Sequence, residues 1–448
     1  MTSSLDSNTL AVGERRFGRL VGDVARVGGG DVVLERTIDG IVLEVTWSSP
    51  DDGPVPRWFR VEVDVLDLVE ESNRGTPKTF DGVPRLLQFG DRRGFVTLIG
   101  CRKAGYSTRS GGPGSGRIRV QRAVFGGREK CDYTAAVALR TTVSHLRNWV
   151  GASAWTTYES SETGLEYRRE LSEDVELGRW GGVDILLRPQ ARVAEREERD
   201  LIELRTDLLV ETRARAPIPW ERHLRPHSAL RDLLVVSGWH AEVGAIHSVQ
   251  HPGDAYMYRD GDERMFWRPV ISSQEETALR PKRRHHLVTY DDLGPDGLRC
   301  WFGIWARLQR VIDPIVSSIN MRNTTPVALL AQVGPGVEAL GYELSRRDGL
   351  SRKKAGGINL ANRLARIVTE VGDVLPFDGA DWATRLVSAY NGIKHANRDM
   401  PNLLDVLNAE RECVLVVRAW CSLQLGVDRA VLRERIRQDA QSHPWVLD

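Results

Sequence analysis

Asp291-Asp292-Leu293-Gly294-Pro295-Asp296-Gly297 divides this chain, because the hydrophobic period changes across it. The stretch itself is rich in turn residues. On its C-terminal side Leu298, Trp301, Ile304, Trp305, Leu308, Val311 and Ile312 fall on one helical stripe, which Pro314 is expected to interrupt or kink. With Leu298, Ile304 and Leu308 on the same face, the two tryptophans read as core packing rather than a base-stacking platform. Further helical periods run over 326–344, 358–374, 381–397, 403–425 and 427–438. About five or six antiparallel helices with short loops are therefore expected to form an all-α bundle over residues 296–448.

The N-terminal side reads differently. Short apolar runs such as Ile41–Trp47, Phe59–Val65 and Phe95–Ile99 recur between Gly, Pro and Asp turns and predict strands. Ser107–Arg117, STRSGGPGSGR, reads as a hairpin tip; it lacks the Lys and hydroxyl that a phosphate-cradling loop needs after its last glycine. Val137, Leu139, Val143, Leu146 and Trp149 predict a helix over 134–150 with Gly151 as its stop. Strands are expected at Val183–Leu187 and Leu201–Leu204, a helix around His227–Val236, and a strand at Leu287–Tyr290. The basic run Arg280–His286 reads as a solvated loop, and its adjacent histidines point to opposite sides of an extended chain with no acidic ligand beside them. The fold class is α+β: a β-rich domain with packed helices over 1–290, then the helical bundle.

Composition narrows the function without naming it. The 448 residues exceed what one hydrophobic core holds, and 41% hydrophobic with 27% charged residues is ordinary globular usage. Lys and Arg total 62 against 61 Asp and Glu, so any polyanion site is local rather than a coating of the whole surface. Five cysteines without a C-x-x-C pair argue against a disulfide framework and a zinc ribbon. No leader pattern opens the sequence and no run is long enough to span a bilayer, so a cytoplasmic protein is expected.

Chemistry-bearing residues crowd Tyr390-Asn391-Gly392-Ile393-Lys394-His395-Ala396-Asn397-Arg398. On a helix turning roughly 100° per residue, Ser388, Asn391, His395 and Arg398 form one polar stripe with Lys394 on its flank. Trp382, Leu386, Tyr390 and Ile393 occupy the opposite, core-facing side. The stretch supplies groups able to handle phosphate and protons: an imidazole (His395), two cations (Lys394 and Arg398) and a carboxamide (Asn391).

Asn391, Lys394 and His395, late in a helical C-terminal region, resemble the R-N-x-x-x-H motif of the HEPN superfamily of metal-independent ribonucleases. The order of segments resembles ApeA-type abortive-infection proteins: Gly18-Arg19-Leu20 near the start, Leu146-Arg147-Asn148-Trp149-Val150 closing a mid-chain helix, then the bundle. The resemblance implies an antiphage protein whose bundle cuts RNA, tRNA among the candidates, with the N-terminal half sensing a phage-derived trigger or restraining the bundle. It implies no cofactor and no metal. It also implies a homodimer or higher homo-oligomer, with catalytic residues among His395, Asn391, Lys394, Arg398 and Tyr390, and RNA contacts from Arg398, Lys394 and Ser388. One position departs from the motif: Tyr390 stands where the family has arginine. Either Lys394 or Arg398 substitutes, or a second subunit supplies the cation. The alternative is a non-catalytic HEPN module acting as sensor, scaffold or RNA-binding partner.

Overall fold

The computed structural model describes residues 8–22, 31–49, 51, 53–59, 82–108, 112–129, 131–151, 155–161, 164–170, 172–196, 201–259, 261–273 and 284–446. The chain divides into two compact units, one of residues 1–142, 211–224 and 245–277, the other of 143–210, 225–244 and 278–448.

In chain order the elements begin with β1 (Arg15–Val21), β2 (Val32–Thr37), β3 (Gly40–Trp47), α1 (Val55–Phe59), β4 (Leu86–Asp91), β5 (Gly94–Ile99), β6 (Arg102–Thr108), β7 (Gly114–Val120), β8 (Arg122–Phe125) and β9 (Ala135–Val143). There follow α2 (Leu146–Val150), β10 (Trp155–Ser161), β11 (Gly164–Glu170), β12 (Val175–Trp180), β13 (Val183–Arg196), β14 (Leu201–Pro219) and α3 (Trp220–Gly238). The remaining strands are β15 (Gly244–Gln250), β16 (Ala255–Met257), β17 (Glu263–Met265) and β18 (Arg268–Ser272).

In the first unit the strands pair in the order β9-β15-β18-β8-β5-β4-β1-β2-β3-β7-β6. Strand β7 shows why the sheet forms: Ile118 and Val120 are buried while Arg117 and Arg119 face out, the alternation that a one-sided sheet requires. Leu34, Leu43, Phe89, Val96, Leu98 and Phe125 join them in one core. Arg16 lies inside this unit, its guanidinium bonded to both oxygens of Asp91 at 2.6 and 2.9 Å, a paired arrangement that makes the buried charge tolerable. A second core surrounds Trp220, whose indole N–H donates to the Tyr133 carbonyl at 2.6 Å, and His223, whose ring nitrogens lie 2.9 Å from Thr212 Oγ1 and the Ala136 carbonyl.

The strands expected at 41–47, 95–99, 183–187 and 201–204 and the helix around 227–236 are present. Strands β6 and β7 form the predicted hairpin, Thr108 opposite Gly114, with residues 109–111 of its tip outside the described set. Two local expectations are overturned, and a third lies almost wholly outside the described residues. Residues 135–143 are a strand, not a helix: Ala136 to Thr141 are buried on both faces, and a strand apolar on both sides loses the period of two that would distinguish it. Only Leu146–Val150 is helical there, ended at Gly151 as expected. Phe59 closes the short helix α1, and residues 60–65 of the proposed strand lie outside the described residues. Leu287 and Val288 are buried without joining a strand, their backbone serving the Ser237 carbonyl, the Ser237 hydroxyl and the Trp149 indole.

The C-terminal helices of the second unit are α4 (Tyr290–Arg307), α5 (Gln309–Asn320), α6 (Pro326–Arg347), α7 (Arg352–Gly356), α8 (Leu360–Val371), α9 (Gly379–Lys394), α10 (Leu403–Gln424) and α11 (Arg429–Gln438). The turn-rich stretch proposed as a boundary is itself the first part of α4. Thr289 and Asp292 form a reciprocal capping box, and Gly294, at φ 56° and ψ −167°, kinks the helix before Pro295. The stripe breaks at Leu308 (φ −113°, ψ 31°) rather than at Pro314, which sits inside α5. Trp301 and Trp305 are core residues, as read, their indoles donating to the Ala229 carbonyl and to Asp232. Thr325, Ser351, Asn359, Asp378, Asn402 and Asp428 each cap the next helix by accepting a backbone N–H, which explains why these helices start where they do.

Helix α10 carries an unbroken buried run from Arg411 to Ser422. Within it Arg418 is completely buried, donating to the Val236 carbonyl (2.7 Å), the Ser237 carbonyl (2.8 Å) and Asp439 (3.0 Å). Its cation sits against the carbonyl end of α3, where the helix dipole is negative. Among the described residues no helix is long and apolar enough to cross a membrane.

Candidate functional site

Helix α9 begins at Asp378, whose side chain accepts the Asp381 N–H at 2.8 Å, and runs with Trp382, Leu386 and Tyr390 buried on one face. It ends at Lys394, three residues before the expected end. His395 is extended (φ −119°, ψ 116°), its N–H donating to the Asn391 carbonyl at 3.0 Å, and the Arg398 N–H donates to the His395 carbonyl at 3.0 Å. The chain then folds back over the helix. A Cβ on Gly392 would lie 2.9 Å from both the Asp399 carbonyl oxygen and Pro401 Cδ, so only glycine permits this approach.

The continuous helical stripe Ser388, Asn391, His395, Arg398 is therefore replaced by a helix end followed by a tight turn. The helix ends earlier than periodicity alone predicts, and Pro401 of the returning chain packs on Gly392. Asn391 and Ser388 remain on the helix; His395 and Arg398 belong to the turn. Asn391 is half-buried, whereas Ser388, Lys394, His395 and Arg398 are exposed. Backbone bonds thus tie the main chains of Asn391, His395 and Arg398 into one turn, with Lys394 the last residue of the helix before it.

Tyr390 is the buried member, at 6% exposure. Its ring lies over Gly334 of α6, where a Cβ would come within 2.6 Å of the ring Cζ and 2.8 Å of Cδ2. Burial, reinforced by Glu338 and Cys413, pushes the phenol up to about 12, so it stays neutral at physiological pH. The Lys394 ammonium stands 5.1 Å from the centre of this ring and 3.4 Å from Glu338 Oε1. Arg363 Nη1 approaches the other oxygen of Glu338 at 3.7 Å, and its Nη2 donates to the Gly356 carbonyl at 3.1 Å. Arg385, the one arginine of α9, donates to Glu412 at 2.9 Å.

Sequence reasoning missed Gly334, Glu338 and Arg363. They lie on other helices in ordinary amphipathic patterns, and only packing joins them to α9. It also missed a buried polar cluster in the same unit. His145, at φ 59° in the left-handed region, places Nδ1 2.8 Å from Glu242, which also accepts from the Ser144 hydroxyl. Nearby, burial with Arg284 and Arg418 pushes His240 down to about 4, and burial with Arg418 and Arg284 pushes His286 down to about 3. Both rings are therefore held neutral inside a basic neighbourhood. Within the first unit Cys131 Sγ lies 3.0 Å from His251 Nδ1, but burial raises the thiol to about 11, the opposite of an activated nucleophile. Among the described residues no group of three or more His, Cys, Asp or Glu side chains is placed to hold a metal ion.

A β-sheet unit, a C-terminal run of helices and a polar turn at the end of α9 define a two-part α+β protein. The chain belongs to the ApeA family: the model of ApeA N-terminal domain 1 matches residues 62–301, more than half of the sequence. Comparison with curated proteins and with solved structures finds no match.

Proposed function

We propose that this ApeA-family protein is an antiphage defence protein acting by abortive infection, and that its C-terminal helices, residues 296–448, are an HEPN ribonuclease bundle regulated by residues 1–290. Family membership supports the defence role. The observation that supports the nuclease reading is the turn closing α9, whose backbone bonds link Asn391, His395 and Arg398 and which leaves His395 and Arg398 exposed.

In this reading His395 removes the 2′-OH proton of the RNA and O2′ attacks the adjacent phosphorus. The P–O5′ bond breaks, leaving a 2′,3′-cyclic phosphate on one fragment and, once the leaving oxygen is protonated, a 5′-hydroxyl on the other. A cation from this site stabilises the extra charge on the phosphate, and Asn391 orients the imidazole or the phosphate. A second copy of the chain supplies the partner site of a composite cleft. The substrate class is RNA, tRNA included.

The second reading, a non-catalytic sensor, scaffold or RNA-binding module, is favoured by the burial of Tyr390 at the motif arginine position. Wild type and His395→Ala, expressed with and without phage, separate the two. The nuclease reading predicts growth arrest and broken total RNA with the wild type only. Equal behaviour of both proteins in an otherwise active assay defeats it.

A further inference from the structure

The site lacks the arginine that would clamp the phosphate, and a cation must be both near His395 and held in place before the reaction to lower its barrier. Three basic side chains compete for the role. Arg363 is largely buried, its guanidinium donating to backbone carbonyls at the end of α7, so it is held away from a substrate. Arg398 is exposed on the turn, and no hydrogen bond, ion pair or ring contact fixes its guanidinium among the described residues. Lys394, next to His395 in the chain, is exposed and has its ammonium held.

Two ladders of the same spacing make this grip. Gly334 and Glu338 are four residues apart on α6; Tyr390 and Lys394 are four residues apart on α9, so each pair shares a helix face. The bare face of Gly334 seats the Tyr390 ring. That ring and the Glu338 carboxylate then bracket the Lys394 ammonium at 5.1 and 3.4 Å. Glu338 does not cancel the charge, because Arg363 stands on its other oxygen: two cations and one carboxylate leave the group with a net positive charge. An ammonium has three donors, and one toward Glu338 leaves two for phosphate oxygens.

We infer, resting on the ribonuclease reading above, that Lys394 is the phosphate-stabilising cation of this site, and that Tyr390, Glu338 and Gly334 are positioning residues that hold it where the motif arginine would otherwise act. Replacing arginine by tyrosine then moves the charge one helical turn along α9 instead of deleting it.

The test is cleavage of labelled total tRNA by the purified full-length protein, with kcat and KM separated and folding checked by thermal melting. Lys394→Gln lowers kcat about 100-fold with little change in KM, the loss typical of one transition-state donor. Lys394→Arg restores part of that loss. Glu338→Gln and Gly334→Ala each lower kcat roughly tenfold, because each loosens the ammonium without touching RNA. Arg398→Gln instead raises KM and lowers the slope of log affinity against log salt by about one. Wild-type kcat in both Lys394→Gln and Glu338→Gln, with His395→Ala inactive, overturns the inference and leaves the nuclease reading standing. A wild type that cuts no better than His395→Ala removes the nuclease reading, and this inference with it. If Glu338→Gln or Gly334→Ala melts early, the kcat of the exposed Lys394→Gln and Lys394→Arg pair decides.

Discussion

Replacing Arg418 by methionine is expected to destabilise the second unit severely. Its guanidinium is wholly buried and satisfies two carbonyls at the end of α3, Val236 and Ser237, as well as the carboxylate of Asp439. Methionine keeps most of the stem volume, so the loss is electrostatic rather than a cavity. Removing one partner of a buried ion pair costs about 3–5 kcal/mol, since the other charge is left uncompensated. At roughly 2–4 °C per kcal/mol for a domain of 150–250 residues, this is a fall in Tm of about 6–20 °C. Urea unfolding followed by tryptophan fluorescence reads it, and Trp239, 4.6 Å from the Arg418 guanidinium, is a local reporter. Adding Asp439→Asn to Arg418→Met removes the stranded carboxylate and recovers part of the loss. A single variant within about 1 kcal/mol of wild type refutes the claim that Arg418 ties the end of α3 to α10.

Stability is also expected to fall with acid earlier than carboxylate titration alone requires. His286 ordinarily titrates near 6.5 and is pushed down to about 3 in the folded protein, first by burial and then by Arg418, so between these values the unfolded chain binds a proton that the folded chain refuses. The stability this ring contributes is complete above pH 6.5 and is lost as pH falls toward 3, by up to about 1.4 kcal/mol per pH unit. His240, pushed down to about 4, acts in the same direction over a narrower pH range. Urea midpoints from pH 7.5 to 4.5 check this, with a shallower fall for His286→Gln. In thiol labelling of the native protein, Cys300 reacts first, being exposed while Cys101, Cys131, Cys413 and Cys421 are buried; equal rates at all five contradict the placement. Gly392→Ala forces its new methyl against the Asp399 carbonyl and Pro401, so a well-folded variant is expected to lose most RNA cleavage by displacing His395. Full activity there means the turn is not what positions the imidazole.

Most C-terminal helices were legible because periodicity is local: the stripes over 326–344, 358–374 and 403–425 fall on α6, α8 and α10. The start of α4 was not, since the turn residues after its Thr289 cap read as a boundary. Strand β9 was not legible, since burial of both faces erases the alternation that separates strand from helix. Within the candidate site, Ser388 and Asn391 fall on α9 as the period predicted. The end of α9 was not legible, because the turn after it brings Asp399 and Pro401 against Gly392, a contact that local periodicity does not contain. Nor were the partners of Lys394. Glu338 lies 56 residues before it, and nothing in the α6 pattern distinguishes this glutamate from a solvated one.

The central claim is that His395 takes part in metal-independent RNA cleavage. The most direct measurement incubates the purified protein with total tRNA in excess EDTA and analyses the new ends, with His395→Ala alongside. Metal-independent cleavage through His395 leaves fragments ending in 2′,3′-cyclic phosphate and 5′-hydroxyl with the wild type, and intact RNA with the variant. Intact RNA from both, cleavage abolished by EDTA, or equal cleavage by His395→Ala contradicts it.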